Sequence, residues 1–152
     1  MQTRRQALTH TAAAAALFAG AGLLSGQALA FNKEAFVAKA LPDALKALGA
    51  TSAMAESKDV TLTAPDIAEN GAVVPLAVAS TLPGLKHLIL LVEKNPSALV
   101  AVFNVNDAVE ANFATRAKMG QTSDVYAVAI TADGKALYAK KEIKVTLGGC
   151  GG

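Results

Sequence analysis

Tryptophan is absent from this sequence, histidine occurs twice and cysteine once, and aromatic residues make up only 5% of its 152 residues. So few aromatics leave no stacking platform for bases or sugars. One cysteine cannot build a disulfide framework, and it cannot join one or two histidines in a closed zinc site, which wants four N or S ligands. The catalytic signatures GxSxG, HExxH, CxxC and the P-loop are all missing. Acidic residues are scattered (Asp59, Asp66, Glu69, Glu93, Glu110), with no close pair suited to acid and base roles. "NVNDAVE" offers oxygen ligands but lacks the spacing and the glycine of an EF-hand loop, so it reads as a turn. Charge of one sign is missing too. The formal charge of +2 is that of Arg4 and Arg5, and beyond residue 30 the chain holds 12 basic and 12 acidic residues. A neutral chain without a basic block argues against binding nucleic acid or an anionic membrane.

What is present begins with an export signal. "MQTRRQALTH" carries the Arg4-Arg5 pair, an Ala- and Gly-rich apolar run follows, and "QALA" places Ala28 and Ala30 in the small-x-small pattern of a signal-peptidase site. The apolar run is too short and too rich in glycine for a membrane anchor of about 20 residues. "TRRQAL" resembles a twin-arginine signal, with Leu8 in its apolar place and Ala7 departing from the usual bulky phenylalanine. Residues 1–30 are therefore expected to be cleaved, with export to the periplasm, leaving 122 residues for one modest domain.

The body reads as helix followed by strands. Over 31–49, Asn32 can cap a helix, and Val37, Leu41, Leu45 and Leu48 recur on one face. Pro42 should kink or split that helix, and Gly49 should stop it. From about Ser57 the period changes to two. "VTLTA", "VVPLAVAS", "LKHLILLVE", "LVAVFNV", "EANFATRAKM", "DVYAVAIT" and "ALYAKKEIKVTL" give about seven strands. Pro75 should demote its strand to an edge or a bulge. Asn106-Asp107 marks a turn and Asp133-Gly134 a hairpin. The spacing predicts an immunoglobulin-like β-sandwich over 50–147, without the Cys and Trp landmarks of antibody domains. His87, between apolar neighbours on a strand, reads as a packing residue.

Chemistry is then left to "LGGCGG". Cys150 is flanked by Gly148, Gly149, Gly151 and Gly152, so no side chain shields it. Three or four residues beyond the last strand give the Cys150 backbone a reach of roughly 10 to 14 Å. Glycine lets the segment follow almost any path. The thiol has no adjacent cation and should titrate near its ordinary value of about 8.5, which suits a carrier better than a nucleophile. Two other readings of the segment stay open at this point. An unpaired cysteine on an exported structural or adhesive sandwich can crosslink two chains into a disulfide-linked homodimer. A Gly-Gly ending also suits the ubiquitin-like carriers, which hold sulfur on the last glycine but work in the cytosol.

An exported, single-cysteine sandwich ending in "VTLGGCGG" resembles the SoxY family, the sulfur-carrier subunits of the bacterial thiosulfate-oxidising (Sox) complex. The resemblance implies that Cys150 carries sulfur as an S-thiosulfonate and then a persulfide, on an arm made of Gly148, Gly149, Gly151 and Gly152. It implies no cofactor of the chain's own, and chemistry supplied by partners. These are a haem c-containing SoxXA-type conjugating enzyme, a SoxB-type sulfate thiohydrolase and, in some organisms, a SoxCD-type sulfane dehydrogenase. It also implies a heterodimer with a SoxZ-like small β-sandwich subunit.

Overall fold

The computed structural model describes residues 32–146. Two short helices come first, α1 (Lys33–Val37) and α2 (Leu41–Ala47). Nine strands follow among the described residues. They are β1 (Ala55–Glu56), β2 (Val60–Thr63), β3 (Ile67–Ala68), β4 (Val74–Ser80), β5 (Leu85–Val92), β6 (Leu99–Asn104), β7 (Asn112–Ala117), β8 (Ser123–Thr131) and β9 (Ala136–Val145).

The helical stretch is split, as Pro42 requires. The Asn32 side chain caps α1 by accepting from the Ala35 N–H at 3.1 Å. The chain then runs extended through Ala38 and Ala40, and Pro42 sits in the first turn of α2. Proline has no N–H for a carbonyl four residues back, so it opens a helix rather than continuing one. Gly49, at φ 90°, closes α2. One expectation fails here. Val37 does not share the buried face of Leu45 and Leu48 and is 62% exposed. The non-helical link at 38–40 breaks the angular relation that the i, i+4 spacing assumed.

The large sheet has the order β1-β9-β8-β5-β6, with β3 also pairing β9; the small sheet is β2-β4-β7. Their inner faces meet in one core, where Leu88, Leu90, Val125 and Ile143 face Val74, Leu76 and Val78. This is an immunoglobulin-like β-sandwich. A second core lies on the other face of the large sheet, where Ile89, Leu91, Val128 and Ile130 pack against Ala35, Ala44 and Leu45. β5 is therefore buried on both faces, which is why "LKHLILLVE" is continuously apolar instead of alternating. At about 25 cal/mol per Å² of apolar surface, a second buried face supplies a large share of this sheet's stabilisation.

Two strands escape the periodicity. β1 and β3 are two residues each and run parallel to β9, registering Ala55 on Leu137 and Ile67 on Lys144. They are too short to alternate. Pro75 lies in the middle strand of the small sheet, yet it is locally an edge. β7 pairs β4 from Val74 to Ala79, whereas β2 covers only Ala77 to Ser80. The missing amide of Pro75 thus costs no ladder bond on the β2 side. The Asp133-Gly134 hairpin forms as its sequence predicts, with Gly134 at φ 82°.

Candidate functional site: the pole where β9 ends

The described chain stops one residue after β9, at Thr146, and this position is firmly held. The Thr146 N–H donates to the Ala68 carbonyl at 3.1 Å. The Val145 N–H donates to the Thr122 hydroxyl at 3.0 Å. The Lys144 N–H donates to the Asp66 carbonyl at 3.0 Å. Three residues in a row are thus tied to neighbouring segments, so whatever follows Thr146 starts from a fixed point. Lys141 strengthens the same region. Its ammonium donates to the Ala64 carbonyl at 2.6 Å and pairs with Asp66 at 2.9 Å. The hydrogen bond and charge of Lys141 hold the Asp66 carboxyl below its ordinary range.

Two loops complete the pole. Asn95 donates through its side chain to the Lys118 carbonyl at 2.8 Å, and the buried Ser123 hydroxyl accepts from the Lys94 N–H at 3.0 Å. The Met119 N–H donates to the Gly71 carbonyl at 2.7 Å. A Cβ built on Gly71 would lie against the Met119 carbonyl oxygen and 2.8 Å from Val145 Cγ1. Only glycine lets these segments approach so closely. Periodicity did not single out Gly71. Its signal is the Asn70-Gly71 turn dipeptide, and the Asn70 side chain does accept from the Ala72 N–H at 3.0 Å.

The residues of the expected carrier segment (Gly148, Gly149, Cys150, Gly151 and Gly152) and of the expected signal (Arg4, Arg5, Ala28 and Ala30) lie outside the described residues. His87 lies far from the Thr146 pole. It registers with Ile130 on β8, whereas Ser123 and Ile143 pair at the Thr146 end. Ile130 is seven steps along the strand from Ser123, about 24 Å at 3.4 Å per step. The His87 Nδ1 is 2.8 Å from the Asn104 Oδ1 across the β5–β6 pair. Burial holds its pKa below the ordinary 6.5, against the Asn104 hydrogen bond, which raises it; the nearby Lys86 charge lowers it further.

Asn106 and Asp107 form a turn, with the Asn106 side chain accepting from the Ala108 N–H at 3.0 Å. Among the described residues no group of three or more His, Cys, Asp or Glu is placed to hold a metal ion. No described helix is long and apolar enough to cross a membrane.

Residues 45–150 match the family model described as sulfur oxidation protein SoxY. The fold is similar to the sulfur carrier protein SoxY from Chlorobium limicola f. thiosulfatophilum, at 34% identity and a TM-score of 0.64. That match covers 70% of this chain and 96% of the other. A superoxide reductase (neelaredoxin) variant from Ignicoccus hospitalis shares the fold alone. It is 17% identical at a TM-score of 0.51, with 57% of this chain and 79% of that one covered. A comparison with curated proteins returns no match.

Proposed function

The chain belongs to the SoxY family of sulfur oxidation proteins, and from that premise we propose that Cys150 is the atom on which it carries sulfur. A sulfur carrier in sulfur oxidation is what the family match and the Chlorobium structure support. The observation that carries the finer reading is the placement of the sole cysteine. It stands at the last position the family model matches, between glycine pairs, four residues beyond the anchored Thr146.

The cycle uses the arm as a ligand for other active sites. A haem c-containing, SoxXA-type partner joins thiosulfate to Cys150. The thiol loses its proton, a sulfur–sulfur bond forms, and the electrons pass to the haem. A SoxB-type hydrolase adds water to the terminal sulfonate and releases sulfate, leaving a persulfide on Cys150. A SoxCD-type dehydrogenase then oxidises the outer sulfur where that step operates. The chain itself supplies no catalysis; it supplies one thiol on a strip without other side chains, which fits a narrow entrance. A SoxZ-like small sandwich is the proposed structural partner. Export through the Arg4-Arg5 signal to the periplasm places the carrier beside haem proteins.

The test is an intact mass. Mature protein incubated with thiosulfate and the partner enzymes gains a sulfur-containing adduct, and Cys150→Ser gains none. An adduct on the Cys150→Ser protein, or none on the native one, refutes the carrier reading.

A further inference from the structure

We propose that the sulfonate-bearing arm docks in a groove on the small sheet, with Arg116 as the receptor for its negative charge. The inference rests on the carrier reading of Cys150 given above. The groove measures about 520 Å³ and is lined by Thr63, Pro65, Pro75, Ala77, Ala114 and Arg116 among others. It exists because β2 stops short. β4 is paired on both sides at Ala77 but only by β7 at Pro75 and Leu76. Apart from Leu76 and Arg116 its lining residues are alanines, threonines and prolines, so a strand of glycines, itself without side chains, can lie against them closely.

Arg116 is the one arginine among the described residues. It points outward, alternating with the buried Ala117. No carboxylate among the described residues pairs with it. A guanidinium presents a planar fork of donors that matches two oxygens of a sulfonate, as it does those of a carboxylate or phosphate.

Two chains of contact bring the groove beside the start of the arm. Pro65 is three residues from Ala68, at most about 11 Å of chain, and Ala68 accepts the Thr146 N–H. On the other side, Val145 touches Gly71, Gly71 accepts from Met119, and Pro75 is paired with Arg116. Four residues carry the chain from Thr146 to Cys150, about 13 to 14 Å when extended. That length is comparable with the at most about 11 Å of chain between Ala68, which holds Thr146, and Pro65 at the groove's edge.

Charge selects the occupant. An S-thiosulfonate brings an anionic group with several oxygens, whereas the bare thiol is neutral and offers the fork nothing. The loaded arm therefore rests in the groove, away from stray thiols, and the arm is free once the carrier is empty.

The test loads the arm without any enzyme. The Cys150 thiolate of the mature chain attacks a central sulfur of tetrathionate, displaces thiosulfate and keeps the S-thiosulfonate. In ¹⁵N-labelled protein, loading should shift the Arg116 side-chain N–H signal and the amides of Ala77 and Ala114. Arg116→Gln should abolish these shifts and speed removal of the adduct by excess glutathione about two- to fivefold, the scale of an exposed ion pair. Shifts confined to residues 144–152, or removal at an unchanged rate in Arg116→Gln, overturn the docking. A Cys150 that tetrathionate cannot reach also overturns it. Because no partner enzyme takes part, failure of the carrier reading shows separately, as a protein that docks its chemical adduct yet accepts no sulfur from the enzymes.

Discussion

The Met119 N–H donates to the Gly71 carbonyl at 2.7 Å, and Val145 packs on the same glycine. One turn residue thereby joins the loop after β7 to the end of β9, the point from which the arm departs. The contact belongs to packing, and it helps fix the end of β9, beyond which the sequence runs on to Cys150.

Gly71→Ala should accordingly disturb both. The added Cβ meets backbone at Met119 and the Val145 side chain at 2.8 Å, so the two segments must separate. Overpacking of this kind costs about 1 to 3 kcal/mol. The expected result is a lower melting temperature together with slower turnover by partner enzymes. A variant with native stability and native turnover shows that the tight approach has no such role.

The sandwich was legible because its signals are local. Period-two alternation marked β2, β4 and β7, and Asp133-Gly134 marked the β8–β9 hairpin. β1 and β3 were illegible because two residues carry no period; they exist through pairing with β9. Val37 misled because its spacing was counted across the break that Pro42 imposes. The second core was hidden in plain composition. The unbroken apolar run of β5 states that both faces are buried, but not that helices cover one of them. The site divides the same way. Cys150 stands out by composition alone. Gly71 and Arg116 gain their meaning from distant neighbours, the one from Val145, the other from where β2 happens to stop.

His87 sets a pH dependence of stability near neutrality. Burial first, and the Lys86 charge to a smaller extent, hold its folded pKa below 6.5, with the Asn104 hydrogen bond opposing. Folding therefore favours the neutral ring. Where the unfolded chain binds the extra proton, stability rises with pH. The loss begins as pH falls through about 6.5 and is complete below the folded pKa. Asp133 acts in a separate window. The Lys135 hydrogen bond, and then the Thr131 hydroxyl, lower its pKa from 3.8 to about 2, so its contribution fades as pH falls below 3.8 and is gone below about 2. Urea unfolding at about pH 7.5 and about pH 5 should show the His87 slope, and His87→Gln should flatten it. An equal slope in that variant assigns the effect elsewhere.

The arm glycines make the last prediction, and it separates reach from reactivity. Replacing Gly149 and Gly151 by valine adds β-branched side chains on both sides of Cys150 and restricts the backbone around it. The sandwich, whose cores are built by described residues from Ala35 to Val145, should melt at the native temperature. The thiol should still take up tetrathionate, a small reagent that needs no passage into an enzyme. Turnover by the partner enzymes should fall by about tenfold or more, since misplacing a reacting group by an ångström costs on that order. Loss of tetrathionate uptake as well would mean that valine shields the sulfur itself. Unchanged enzymatic turnover would mean that the partners read the thiol without threading the arm, and the thinness assigned to the glycines would have no function.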